Sequence, residues 1–249
     1  ILEEDDMSGN LSGICAVILA AGAGSRLGYP NERGGKPMVE ALGKPLLAYG
    51  LERLAGAGLR DVALVVNPTN QPVIEAYAGD GSKWGLAITY VVQETPLGIA
   101  HALSLCQEFS GQRNVLLLLV DNLFAANIDA AVAAYAQNPE DKAEIFLVPV
   151  PNPQDYGVAV VENGQVQRLV EKPQQFISDL AVIGLYFYPP SVYDLIPQLK
   201  PSARGELEIT DVNSLFLQQG RLHSCELAGW WIDVGNTERL AEAERLLAE

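Results

Sequence analysis

The run Val17-Ile18-Leu19-Ala20-Ala21-Gly22-Ala23-Gly24-Ser25-Arg26-Leu27, with Lys36-Pro37-Met38 ten residues beyond the arginine, joins an apolar stretch to a glycine turn and two long cations. Small residues let backbone N–H groups approach a ligand closely and the cations offset its charge, which is what a polyphosphate requires. The chain is therefore expected to handle a nucleoside triphosphate. Glycine after a strand also opens ordinary turns, and two better-known phosphate loops look similar. A dinucleotide-binding unit places an acid after its second strand, whereas Val62-Ala63-Leu64-Val65-Val66 runs into Asn67-Pro68. A Walker loop needs Ser or Thr after its lysine, and Pro37 follows Lys36 here. The phosphate is expected to be held in another way.

Asp121 follows six consecutive apolar residues, so its carboxylate should project from a strand end into a cleft. Asp233 lies in Trp230-Trp231-Ile232-Asp233-Val234-Gly235, where a charge is costly unless paired or bound to metal. Two converging carboxylates suit magnesium, with phosphate oxygens and water completing the shell. A strand-end turn or a helix cap would use Asp121 equally. Glu171-Lys172-Pro173 offers a carboxylate for sugar hydroxyls beside an ammonium for a sugar phosphate, although an exposed ion pair would read the same. Tyr156-Gly157 fits either a bare spot that admits a ligand or a plain bulge. His101 and His223, the only histidines, have no neighbours that make them bases or metal ligands by spacing, and packing roles are expected. Neither a Ser-His-Asp ordering nor a Gly-x-Ser-x-Gly elbow occurs, so acyl transfer has no support.

The elements that must position these groups are legible as alternation. Strand-like blocks occur at 16–19, 62–66, 88–92, 115–120 and 145–150, with helical patterns at 46–57, 73–78 and 99–108 between the first four. Such alternation implies right-handed βαβ units in an α/β fold, a Rossmann-like and mostly parallel central sheet flanked by helices, with ligands at the carboxyl ends of the strands. Past residue 151 the pattern turns β-rich, with strands at 156–161, 166–171 and 182–188, a hairpin signal at Asn163-Gly164, and helices at 207–219 and 237–247. The expected organisation is a tag, linker or disordered segment at 1–13, then one domain over 14–249. Within it, about 14–150 binds nucleotide and 151–249 binds the sugar phosphate.

A length of 249 residues with 49% hydrophobic content supports a sizeable core. The formal charge of −15 argues against nucleic-acid polymers and anionic membranes as partners, so an anionic ligand must meet a local positive pocket. Cys15, Cys106 and Cys225 are odd in number and widely spaced, which predicts buried reduced thiols instead of disulfides or zinc. The apolar blocks are strand-length, and residues 1–10 lack a signal peptide's cationic start and apolar centre, so a cytoplasmic protein is expected.

Taken together, Leu19-Ala20-Ala21-Gly22-x-Gly24-Ser25-Arg26-Leu27, Lys36-Pro37, Asp121-Asn122, Glu171-Lys172-Pro173 and Trp231-Ile232-Asp233-Val234-Gly235 resemble the sugar-1-phosphate nucleotidylyltransferases. Within them the similarity is greatest to the branch that transfers thymidylyl groups to glucose 1-phosphate. The segments 79–86, 184–188 and above all 199–213, Leu-Lys-Pro-Ser-Ala-Arg-Gly-Glu-Leu-Glu-Ile-Thr-Asp-Val-Asn, carry that narrower match. The resemblance covers the chain from about residue 14 onward and implies a nucleotide-diphospho-sugar transferase-like fold. It implies that Leu19, Ala20 and Asp121 contact the nucleotide, that Gly22, Gly24, Ser25, Arg26 and Lys36 hold its triphosphate, and that Gln93 and Gly98 read a pyrimidine edge. Asp121 and Asp233 would bind magnesium, while Tyr156, Gly157, Glu171, Lys172, Val182 and Trp231 would surround the sugar phosphate. Arg26, Lys36, Asp121, Lys172 and Asp233 would carry the catalysis. The implied partners are dTTP or UTP, a sugar 1-phosphate and further copies of the chain. Val120 stands where the family usually has glycine, which is expected to crowd the ribose or move Asp121.

Overall fold

The computed structural model describes residues 11–136 and 140–249; of the tag, linker or disordered segment expected over 1–13, residues 1–10 lie outside them. Leu11–Gly13 is a short 3-10 turn leading into the first strand. β1 (Ile14–Leu19) passes through the glycine turn and a small hairpin, β2 (Glu40–Ala41) with β3 (Lys44–Pro45), into α1 (Leu46–Gly56). The alternation continues through β4 (Asp61–Val66), α2 (Gln71–Ala78), β5 (Ala87–Val92), α3 (Ile99–Ser104), α4 (Gln107–Ser110) and β6 (Asn114–Leu119). β7 (Asn122–Phe124), α5 (Asp129–Ala136) and β8 (Ala143–Pro149) complete the first part. The second comprises β9 (Gly157–Glu162), β10 (Gln165–Glu171), β11 (Leu180–Tyr188), α6 (Val192–Leu195), α7 (Ile209–Gln218), β12 (Leu222–Glu226), β13 (Trp231–Asp233) and α8 (Thr237–Ala248).

β5, β4, β1 and β6 lie side by side and parallel, as βαβ alternation demands. β1 is buried on both faces. Ile14, Ala16 and Ile18 join a core with Leu47, Leu51 and Leu54 of α1, while Cys15 and Val17 join a second core with Leu103 of α3 and Phe216 of α7. The fifth expected strand does not extend the parallel set. β11 runs antiparallel against β6 and separates it from β8, and β12 adds parallel to β8 at the edge. The β9–β10 hairpin turns at Asn163-Gly164 and meets β11 where Ala181 faces Val158.

Three expectations change in detail. Residues 99–108 form two helical pieces, because the Ser104 hydroxyl takes the His101 carbonyl at 2.7 Å and the chain turns before α4 starts. β6 stops at Leu119, so Val120 belongs to the turn. Cys15 and Cys106 are buried, and burial pushes their thiols up to about 11 and about 12. Cys225 is exposed: β12 lies at the sheet edge with one face in solvent. Among the described residues no helix is long and apolar enough to cross a membrane.

Candidate active site

The glycine turn leaves β1 at the carboxyl edge of the parallel strands. A Cβ on Gly24 would lie 2.6 Å from the Tyr29 carbonyl oxygen, so only glycine lets the turn fold back there. Gly22 has open space where a side chain would be, and its carbonyl accepts from Lys36 N at 3.1 Å, which fixes the start of the lysine. From outside, Asn67 Nδ2 donates to Ala21 O at 2.9 Å, and the buried Asn70 donates to Ala20 O at 2.8 Å. These two asparagines were not among the expected site residues. Their signal was the Asn-Pro-Thr-Asn run directly after β4, where side-chain amides commonly tie turns.

A cavity of about 560 Å³ opens beside this turn, lined by Leu19, Gly22, Lys36, Gln93, Gly98, Val120 and Asp121 among others. Of the residues assigned to the nucleotide, Ala20, Gly24, Ser25 and Arg26 are not on its wall. Ala20 is buried beneath the turn, and Arg26 is exposed. Arg26 still acts on the site through its charge, which is felt at both Lys36 and Asp233. Val120 is 5% exposed and packs against the core, and it also lines the cavity beside the Asp121 carboxylate.

Asp121 and Asp233 come together through β7 and β13, whose antiparallel pairing sets Asp233 opposite Asn122. Asp121 Oδ2 accepts from Lys36 Nζ at 2.6 Å, and Asp121 Oδ1 accepts from Asn122 Nδ2 at 2.9 Å. Burial works against the Lys36 charge, but Asp121 and, behind it, Asp233 outweigh burial and lift its pKa above the ordinary lysine value. Asp233 Oδ1 is buried and accepts no hydrogen bond among the described residues. Burial first, and then the Asp121 carboxylate, push its pKa up to about 6 against the pull of Lys36, Arg239 and Arg26. An unpartnered buried oxygen next to a second carboxylate suits a hard divalent cation, whose remaining positions fall to ligand oxygens and water. No cluster of three or more His, Cys, Asp or Glu side chains is placed to hold a metal among the described residues.

All six residues assigned to the sugar phosphate line one cavity of about 260 Å³, together with Asp233. A Cβ on Gly157 would lie 3.0 Å from Glu171 Oε2 and 3.2 Å from Thr210 Oγ1, so a side chain there would press on that pair by a few tenths of an ångström. That carboxylate accepts from the Thr210 hydroxyl at 2.7 Å, leaving its other oxygen free of protein partners among the described residues. Lys172 has φ +44°, an uncommon conformation for a side-chain-bearing residue, and its N–H donates to Tyr156 O at 3.0 Å. The Tyr156 ring meets Trp231 edge-on at 5.1 Å, and its hydroxyl accepts from Arg239 Nη2 at 2.8 Å. Arg239 sits in the first turn of α8, where Asn236 caps the helix by accepting from Arg239 N. Arg204, on the same cavity wall, pairs with Glu208. Neither arginine was expected in the site. The two cavities share Ile99, Leu119 and Glu206, so they are halves of one cleft.

Asn122 ties the halves together. Its Oδ1 accepts from Trp231 Nε1 at 2.7 Å and from Gly184 N at 2.8 Å, while its Nδ2 donates to Asp121. A Cβ on Gly184 would lie 2.6 Å from Asn122 Nδ2 and 2.7 Å from Leu119 Cγ. Gly184→Ala is therefore expected to cost about 1–3 kcal/mol through overpacking and to lower the thermal midpoint by about 3–10 °C. Differential scanning calorimetry checks this, and an unchanged midpoint would remove the close approach.

The mostly parallel part of the α/β sheet thus carries at its carboxyl edge a glycine turn, paired acids and a two-part cleft. The chain belongs to the nucleotidyl transferase family, which it matches over residues 15–249. It is 39% identical over 235 residues to a low-salt glycan biosynthesis nucleotidyltransferase of Haloferax volcanii, covering 94% of this chain and 66% of that protein. A glucose-1-phosphate thymidylyltransferase of Streptomyces griseus is 37% identical over 94% of this chain and 66% of its own, so the chain spans just under two thirds of both relatives. The corresponding enzyme of Neisseria meningitidis is 40% identical over 91% of this chain and 80% of its own. A crystal structure assigned as a glucose-1-phosphate thymidylyltransferase of Bacillus anthracis, in complex with a sucrose, has a TM-score of 0.88 at 35% identity, covering 94% of each chain.

Proposed function

We propose that this chain transfers a thymidylyl group from dTTP to glucose 1-phosphate, releasing pyrophosphate and forming dTDP-glucose. The observation that carries the reading is the single cleft in which the Gly22–Lys36–Asp121 wall adjoins the Glu171–Lys172–Trp231 wall, with Asp121 and Asp233 between them. In this reading residues 14–150 serve mainly the nucleotide and 151–249 the sugar phosphate, in a cytoplasmic homo-oligomer.

A sugar-phosphate oxygen attacks the α-phosphorus in line with the departing pyrophosphate, so catalysis consists of positioning and charge neutralisation. Lys172 and Arg204 hold the attacking phosphate, while Glu171 and the Tyr156–Trp231 pair orient the hexose. Lys36 and Arg26 offset the charge growing on pyrophosphate. No general base is needed, because a phosphate monoester loses its second proton at about pH 6. Magnesium held by Asp121 and Asp233 would neutralise the triphosphate oxygens.

The deciding experiment measures pyrophosphate release for four triphosphates against several hexose 1-phosphates, with and without magnesium. Release is expected only when triphosphate, sugar phosphate and metal are all present, with dTTP and glucose 1-phosphate fastest. UTP outpacing dTTP would reassign the nucleotide. Absence of release from every combination would overturn the reading.

A further inference from the structure

We propose that His101 is a positioning residue for base selection: it locks the Gln93 carboxamide so that only an acceptor faces the nucleotide, which favours thymine or uracil over cytosine. The inference rests on the reading of the larger cavity as the nucleotide site.

Gln93 is 6% exposed and stands on that cavity's wall just past the end of β5. Its Nε2 lies 3.3 Å from the Gly98 carbonyl oxygen and 3.0 Å from His101 Nδ1. The Gly98 carbonyl can only accept and so favours the NH₂ on that side, but at 3.3 Å its hold is the weaker of the two, and the 3.0 Å His101 contact completes the choice of rotamer. One amide hydrogen serves Gly98 and the other serves His101. Nδ1 must then be the bare nitrogen, with the ring proton on Nε2. Oε1 accepts from no described group, which leaves it as the atom of this side chain available to a guest.

The frame behind this arrangement is tight. Gly98 has φ +104°, and a Cβ there would lie 2.5 Å from Leu207 O, so only glycine fits against the 207 segment. Ala100 N donates to Leu207 O at 3.2 Å, and Leu207 N donates to Leu97 O at 2.8 Å, which clamps the start of α3 one residue before His101. Ser104 Oγ holds the His101 carbonyl from the next turn.

Thymine and uracil carry an N3–H donor, whereas cytosine carries a lone pair at N3. A free carboxamide could present either end and would accept both rings. One whose NH₂ is occupied twice over can only accept, so it bonds the first kind and opposes the second. Sites built to pair one polar group reject a mismatched analogue by large factors, because the buried partner is left unsatisfied.

The test compares kcat and KM for dTTP and dCTP, at saturating glucose 1-phosphate and magnesium, in the natural chain, His101→Leu and His101→Asn. The natural chain is expected to prefer dTTP on the order of 10²-fold in kcat/KM. His101→Leu removes the acceptor and should shrink the preference to within about fivefold, mainly through a higher KM for dTTP and a lower one for dCTP. His101→Asn, whose Oδ1 can take the place of Nδ1, should restore most of it. A preference undiminished in His101→Leu, or no recovery in His101→Asn, overturns the proposal. dTTP methylated at N3 gives a check that needs no variant: the natural chain should discriminate against it on the order of 10²-fold, and equal use would overturn the proposal. Absence of turnover with any pyrimidine triphosphate would instead overturn the nucleotide reading, and this inference with it.

Discussion

Asp121→Asn is expected to slow pyrophosphate release by about 10³-fold at saturating dTTP, glucose 1-phosphate and magnesium. The substitution keeps the side chain's shape and removes its charge. Asp121 lines the larger cavity, bonded to Lys36 on one oxygen and on the other to Asn122, which lines the smaller cavity. In the proposed reaction the metal would lose a ligand, and the triphosphate would lose the group that aligns its charge with the attacking phosphate. The fold loses little, since Lys36 keeps Asp233 as a nearby counter-charge. A thermal midpoint within about 3 °C of the natural chain is expected, worth roughly 1 kcal/mol for a domain of this size. Turnover at the natural rate in this variant would exclude Asp121 from the reaction.

Asp233→Asn should separate stability from activity in the opposite sense. The folded carboxyl titrates at about 6 against an ordinary value of 3.8, raised by burial and by Asp121. Between those values the folded chain holds a proton that the unfolded chain has released, so stability falls as pH rises through the window and the whole penalty is present above it. In metal-free buffer at pH 7.5, Asp233→Asn is therefore expected to be more stable than the natural chain by on the order of 2–3 kcal/mol. The difference should vanish near pH 4. Magnesium should raise the midpoint of the natural chain and leave the variant's unmoved, because only the former has the full ligand pair. Turnover in the variant should drop by about 10²–10³-fold. Equal midpoints at pH 7.5 would show that the buried carboxylate carries no strain.

Much of this arrangement is legible in the amino-acid sequence. The parallel core reads from strand-length apolar blocks separated by helical spacing, since burial on both faces leaves no polar alternation. Asp121 was legible because an acid directly after such a block has only the strand end to occupy. The six residues that the motif resemblance assigns to a sugar phosphate all line one cavity. The remainder depends on directions that spacing does not encode. Arg26 sits in the motif yet points into solvent, whereas Arg204 and Arg239 lie in segments whose patterns only indicate loop and helix. His101 looked like packing because its partner, Gln93, is eight residues away across a turn. Asn67 and Asn70 support the glycine turn from the turn that follows the neighbouring strand, a relation that exists only once β1 and β4 pair.

Asn122 has a consequence for how freely the cleft can drift in sequence. Its amide must accept from an indole and a backbone N–H while donating to a carboxylate, and no other side chain of that size offers both polarities. Aspartate would set like charge against Asp121, and leucine would strand two donors in a buried wall. Substitution space at this position is therefore close to empty, and neighbouring positions can diverge only along routes that leave its three partners in place.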